Sequence, residues 1–443
     1  MRSTPPRRAV LTGLAAALTS GAALLPSPAR AVTATRPRLK PRAAVTVSLT
    51  ARVSAESQRI RLGAAQRASD FFTTAAYAPA GTPVTITVSA PDGVLPTLYV
   101  GIPDYYATPN APRSYALKAG ANTVTDPHGG PLHLTMTGSG QRATVTIGTG
   151  SVPMPTFTHG STTEAAFQAQ LDSATAAAYV QLRSAHAIVT LSRATALQYR
   201  AENHATLLDT YEQLLTSHAT FSGLSGSTGT HARNPLPYHF VNVTKVASGV
   251  GAYATHGYTG YPSGAMTYIA GVNGLRTGGW GMYHELGHQH QQFAYKPGAL
   301  TEVTCNLYSL AAQRTLGQTS RLLTKDASGK DVYDRAFTAR DAGTDYATLD
   351  VWQKLVPLWQ LRLAFGTGVW PELHKLIRTD NPAAATDADR YDNLAVYASR
   401  AAGRDLSEFF VAKWRFPITA SGKARIAALG LPEPTVDAGT YRE

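Results

Sequence analysis

Gly279-Trp280-Gly281-Met282-Tyr283-His284-Glu285-Leu286-Gly287-His288-Gln289-His290 is the stretch around which the rest of the chain is read. It contains His-Glu-x-x-His. On a helix, residues four apart lie one above the other, so His284 and His288 share a face. Two imidazoles at that spacing can hold one Zn²⁺, and Glu285 between them is the candidate general base for a water at the metal. His290 lies two residues past His288 and points away from it, which assigns it to the surroundings of the site or to the surface.

A catalytic zinc takes three protein ligands and keeps one position open. The first helix is expected from about Trp280 to Phe293, ended by Lys296-Pro297-Gly298. A second is expected from about Ala299 to Leu316, with Leu300, Val303, Leu307, Leu310 and Ala311 as its buried stripe. Glu302 stands near the start of that helix, and no other acid follows until Asp326. A carboxylate on an adjacent antiparallel helix completes a two-His-one-Glu site. The longer metzincin pattern needs Gly and His where Gln291 and Ala294 stand, which excludes it. Peptide hydrolysis also needs a donor for the oxyanion. Tyr261, Tyr268, Tyr283 and His290 qualify by type, and spacing does not choose among them.

The chain has 443 residues, enough for two or three domains, and 44% hydrophobic with 15% charged residues is globular composition. Cys305 is the only cysteine, so no intrachain disulfide forms. The net charge of +12 draws partly on Arg7, Arg8, Arg30, Arg36, Arg38, Lys40 and Arg42. No RNA-binding signature or basic patch interleaved with aromatics occurs, so nucleic acid is not expected as a partner. Arg7-Arg8 precede the apolar run Ala9 to Leu25, and Ala29-Arg30-Ala31 has the form of a cleavage site. Residues 1–31 therefore read as a twin-arginine-like export signal, with an ordinary secretory signal as the alternative. No later run is long and apolar enough to span a membrane. The mature chain is expected to be secreted and monomeric.

Residues 32–50, rich in Thr, Pro and basic side chains, read as a linker. From 51 to 155 short alternating runs such as Thr82–Val88, Leu98–Ile102, Leu132–Met136 and Ala143–Ile147 are separated by turn clusters, which predicts an antiparallel β-sandwich. Residues 163 to about 217 are Ala- and Leu-rich at helical spacing. Tyr238–Val243 reads as a strand, Gly249–Gly264 as a loop, and 320–425 as mostly helix. The fold class is thus α+β: a β-sandwich, a mainly helical domain over 156–430, and a C-terminal tail over 431–443.

At the metal motif the chain resembles the M60-like, enhancin-type peptidases, of gluzincin type. The resemblance rests on Gly279-Trp280-Gly281 before His284-Glu285-Leu286-Gly287-His288, then Gln291, Leu300-Thr301-Glu302-Val303-Thr304 and Asn306-Leu307-Tyr308-Ser309-Leu310. Shorter likenesses lie at Tyr77–Gly81, Gly120–Thr123, Gly129–Leu132, Gly260-Tyr261-Pro262 and Asp405–Phe410. By resemblance, His284, His288 and Glu302 are the zinc ligands and Glu285 the catalytic base. The resemblance implies a secreted zinc endopeptidase acting on mucin-like, O-glycosylated proteins. Two other readings use the same residues: a secreted glycan- or cell-surface-binding protein with a structural or vestigial metal site, and a zinc amidohydrolase of cell-wall peptides.

Overall fold

The computed structural model describes residues 44–107 and 111–443. The export signal and most of the linker lie outside the described residues. The linker's last residues do not: Val45–Thr50, expected as linker, form strand β1. Its Val and Leu side chains alternate with Thr and Ser, and that period of two fits a strand with one buried face.

The strands that follow are β2 (Phe72–Ala78), β3 (Pro83–Ser89), β4 (Thr97–Asp104), β5 (Ala111–Ala116), β6 (Gly120–Thr125), β7 (Gly130–Thr135), β8 (Arg142–Ile147) and β9 (Val152–Pro153). They make two antiparallel sheets, of order β1-β8-β3-β6 and β5-β4-β7-β2-β9. Val84, Ile86 and Val88 of β3 alternate with exposed Pro83, Thr85 and Thr87. With Val145 and Ile147 they join Leu98, Val100, Leu132 and Leu134 of the second sheet in one apolar cluster. Each sheet thereby removes one face from water at about 25 cal/mol per Å². A helix not expected in this region, α1 (Ala55–Leu62), sits between β1 and β2, capped by Ser54 and ended by left-handed Gly63.

The remaining strands are β10 (Thr156–Thr158), β11 (Tyr179–Arg183), β12 (Ala187–Ser192), β13 (Tyr238–Asn242), β14 (Tyr253–Thr255) and β15 (Tyr258–Tyr261). They form a mixed sheet of order β10-β11-β12-β13-β15-β14. This corrects two expectations. The segment 163–217 is not continuous helix: β11 and β12 lie between α2 (Glu164–Ser173) and the helices α3 (Arg193–Gln198) and α4 (His204–Phe221). The Gly249–Gly264 segment contains β14 and β15. Strands β12, β13 and β15 are buried along nearly their whole length, so they show no period-two alternation to read.

Helical structure dominates from there on. The helices are α5 (Thr267–Ala270), α6 (Val272–Gly278), α7 (Trp280–His290), α8 (Thr301–Thr315), α9 (Val332–Asp341), α10 (Val351–Phe365), α11 (Val369–Asp380), α12 (Asp387–Ala402) and α13 (Ala420–Ala427). Leu307, Leu310, Leu355, Leu358, Trp359, Trp370, Leu394 and Phe410 belong to the large core that these helices enclose. The 431–443 segment, expected as a tail, is packed onto it: Gln360 donates to the Gly439 and Tyr441 carbonyls, and Trp359 Nε1 donates to Glu443. Among the described residues no helix is long and apolar enough to cross a membrane.

Several contacts tie the β-rich region to the rest. Ala65 N–H donates to the Gln291 carbonyl (2.7 Å) and Phe293 N–H to the Gly63 carbonyl (3.0 Å), so the turn after α1 is stitched to the exit of α7. Further away, His133 of β7 stacks on Phe71 (4.7 Å between centroids) and accepts from the Gln181 amide of β11 (2.6 Å). That amide also donates to Thr190, whose hydroxyl reaches His239 (2.8 Å).

Several imidazoles are therefore buried uncharged. Burial pushes the pKa of His133 down to about 3, that of His374 to about 3 and that of His218 to about 4, with His239 also well below its ordinary value. The unfolded chain binds protons at these groups from pH about 6.5 downward and the folded chain does not. Their stabilisation is complete above that pH and is lost as pH falls, each group costing on the order of 2 kcal/mol by pH about 5. The melting midpoint should drop steeply between these two pH values, above the range where carboxylates titrate. A midpoint that stays flat over that interval in scanning calorimetry would contradict this reading.

Candidate metal centre

Helix α7 begins at Gly279 without a side-chain cap and ends where Gln291 turns extended. The chain then makes two short 3₁₀ turns, Phe293–Tyr295 and Gly298–Leu300, and reverses into α8. The expected boundaries hold within a turn. What brings α7 and α8 together is Gly287. A Cβ at that position would stand 2.5 Å from the Cys305 carbonyl oxygen and 3.2 Å from its Cα, so only glycine lets the two backbones meet there. A mid-helix glycine costs about 1 kcal/mol relative to alanine, which the close helix contact offsets.

At that crossing the expected ligands converge. His284 Nε2 lies 3.0 Å from Glu302 Oε2 and 3.1 Å from His288 Nε2, and His288 Nε2 lies 3.3 Å from the same carboxylate oxygen. A tetrahedral zinc with bonds of about 2.0–2.1 Å has ligand–ligand edges of about 3.3 Å, so this donor set fits one. The orientation of each ring is fixed from behind. His284 Nδ1 is 2.7 Å from Asn306 Oδ1, and the Asn306 amide donates to the Glu302 carbonyl (2.8 Å). His288 Nδ1 is 2.9 Å from Gln291 Oε1, and the Gln291 amide donates to the Thr301 carbonyl and the Thr304 hydroxyl. Both amide oxygens accept from Nδ1–H, which leaves the Nε2 lone pairs free for a metal. The roles of Asn306 and Gln291 were not read from the sequence. The usable signal was an amide three residues after His288 and another four after Glu302.

The electrostatics point the same way. Burial works against a charge on His284, yet the Cys305 thiol and the Glu302 carboxylate outweigh it and push its pKa up to about 11; the same contest brings His288 to about 10. The two imidazoles hold the Glu302 carboxyl well below the usual range. Positive charge is favoured at this point, and a divalent cation supplies it with both rings neutral. Glu285 is 7% exposed; burial raises its pKa, and the opposing pull of the two imidazoles offsets only part of that.

Cys305 lies with these groups, all four offering a donor atom within 4.8 Å of one another. Its sulfur is nevertheless 3.5 Å from His284 Nδ1 and 3.8 Å from Nε2, so it lies beside the ring and not on the Nε2 lone-pair axis. The thiol therefore lies against the His284 ring.

The oxyanion candidates separate. Tyr283 donates to the Leu275 carbonyl and is bonded by Gln318, away from the ligands. His290 is not a surface group: it is buried, stacked on Tyr238 (4.8 Å), with Nδ1 on the Leu286 carbonyl. Tyr268 is largely exposed, its ring against Gly278. Tyr261 is buried, and burial first, then the charge of Glu285, raises its pKa, which places its hydroxyl within the field of that carboxylate. Truncating the ring supports should loosen the metal. Asn306→Ala is expected to weaken zinc binding about 10–100-fold, and Gly287→Ala at least as much. Competition with a chromogenic chelator measures this, and unaltered affinity in both variants would refute the geometry above.

Family models match in two places: peptidase M60, enhancin and enhancin-like, over residues 150–415, and the N-terminal domain of M60-like peptidases, over 53–148. A functionally unknown conserved protein from Bacillus anthracis superposes with a TM-score of 0.81 at 26% identity, covering 90% of this chain and 82% of that one. The catalytic module of the metalloprotease ZmpA from Clostridium perfringens gives 0.74 at 17% identity, over 90% and 81%. The M60 catalytic domain of ZmpC from the same organism, solved with the sialyl T antigen, gives 0.72 at 19%, over 90% and 83%. TRPM8 channel-associated factor 2 of Bos taurus is 30% identical over 209 residues, which are 44% of this chain but only 22% of that protein. The fold, the converging His284, His288 and Glu302, and a family model spanning residues 150–415 place the chain in the peptidase M60, enhancin and enhancin-like family.

Proposed function

We propose that the protein is a secreted zinc-dependent endopeptidase that cleaves extracellular, mucin-like O-glycosylated proteins. The observation that carries the reading is the meeting of His284 Nε2, His288 Nε2 and Glu302 Oε2 within 3.3 Å of one another, with the buried Glu285 on the same helix. His284, His288 and Glu302 would hold the zinc. When bound, zinc supplies a Lewis acid that polarises the scissile carbonyl and the attacking water. Glu285 takes a proton from that water as the new C–O bond forms. It then delivers the proton to the amine nitrogen as the C–N bond breaks. The raised basicity of a buried carboxylate suits both steps.

The substrate class draws on relatives. The ZmpC domain was solved with the sialyl T antigen, and another metallopeptidase of this fold with the Tn antigen. Export draws on Arg7-Arg8 and the apolar run after them. We read the two N-terminal sheets as a β-sandwich over residues 51–155, extended by β1, that supports a catalytic domain over 156–430. The alternative of a binding protein with a structural metal has no use for Glu285.

A digest of a heavily O-glycosylated protein, with and without chelator, tests the reading. Glu285→Gln should lower kcat by about 10²–10⁴-fold with one zinc per chain retained. His288→Ala and Glu302→Ala should lose zinc and cleavage together. Full activity in Glu285→Gln would sink the mechanism. Mass spectrometry of fragments from glycosylated and deglycosylated substrate addresses the substrate class: equal cleavage of both would remove the glycan from it.

A further inference from the structure

Trp280 lies one turn before His284 on α7, on the same face and about 6 Å along the axis. Helix α8 runs back alongside α7. At one end Gln291 reaches Thr301 and Thr304; past the other end Gln318 reaches the Arg276 carbonyl and Tyr283. The chain leaving α8 therefore returns to the start of α7. There Arg321 opens a 3₁₀ turn, its N–H held by Gln313 Oε1 of α8 (2.9 Å). The Arg321 guanidinium carbon lies 5.1 Å from the Trp280 ring centroid and 4.9 Å from that of Trp352 at the start of α10, and the two indoles are 5.5 Å apart. Arg321 is exposed and both tryptophans are half-buried. Among the described residues no carboxylate pairs with this guanidinium. The nearby Asp326 is taken by Arg335 (2.8 Å).

The three distances make a nearly equilateral triangle, so the guanidinium rests against both indoles from one side and its N–H donors are open on the other. That edge matches a carboxylate in bidentate fashion, and a cation already held in place loses little freedom on binding. We propose that Arg321, resting against Trp280 and Trp352, is a carboxylate-recognition subsite at the α7 N-terminal end of the metal cleft. It selects substrates with an acid near the scissile bond. The carboxylate can come from an acidic peptide side chain or from an acidic sugar. The inference rests on the peptidase reading for the position of the cleft.

The test is calorimetric, on the zinc-loaded Glu285→Gln chain, so that no turnover intervenes. Three O-glycopeptides share one backbone: one with a neutral sugar, one with sialic acid on that sugar, and one with the neutral sugar and an aspartate beside the glycosylated residue. At least one acid-bearing peptide is expected to bind about tenfold or more tighter than the neutral one, and which one does so identifies the source of the carboxylate. The advantage should shrink as salt is raised. Adding Arg321→Gln should bring the ratio near one, and Arg321→Lys should keep part of it. Zinc content of one per chain in each variant shows that the fold persists. The proposal is overturned if neither acid-bearing peptide outbinds the neutral one, or if the ratio survives Arg321→Gln. Failure of the peptidase reading shows separately, as absence of cleavage by the unsubstituted chain.

Discussion

The backbone contact between Gly287 and Cys305 is the constraint on which this molecule depends. Metal ligands must sit within about 0.2 Å of their ideal distances, and side chains on two helices reach one point only if the helix axes are close. A Cβ at 287 would separate them at the crossing itself. The spacing of His284 and His288 sets two donors, but their distance to Glu302 is set by a residue that donates nothing. The amides of Asn306 and Gln291 then remove the remaining freedom of the rings.

The chain's organisation follows from holding that crossing still. The mixed sheet lies on one side, with Gln289 of α7 donating to the Thr255 carbonyl of edge strand β14. His290 and Tyr308 belong to a packed aromatic group with His218, Phe221 and His374. Tyr308 donates to the His290 carbonyl, which the end of α7 leaves free, and His218 adds a bond to the Tyr283 carbonyl, so α7 is tied to both neighbouring helices. These imidazoles are held neutral by burial, and their hydrogen bonds are local and complementary.

How legible this was depended on what each segment leaves visible. The convergence of His284, His288 and Glu302 was readable because metal chemistry restricts residue type and a helix restricts spacing. The N-terminal strands were readable because one face is wet: Thr85 and Thr87 alternate with Val84, Ile86 and Val88. Of the mixed sheet only Tyr238–Val243 was readable; Ala187–Ser192 is buried nearly throughout and lies in an Ala- and Leu-rich stretch that favours helix in isolation. The surface alternative for His290 fails for a related reason. Its direction away from His288 was right, but what lies in that direction is core, and no local pattern reports that. Gln291 and Asn306 were visible as residues and silent as partners, since an amide earns its role only from the ring it meets.

The stitch between Gly63–Ala65 and Gln291–Phe293 has a consequence for descent. Gln291 braces a metal ligand through its side chain while its carbonyl is bonded by the turn after α1. The β-rich segment is therefore part of the scaffold of the metal helix. Recombination that joined the 150–415 portion to a foreign N-terminal segment would orphan backbone groups three residues from His288. Lineages carrying this catalytic portion should inherit the preceding one with it, as an inseparable pair, while accessory modules come and go outside the two.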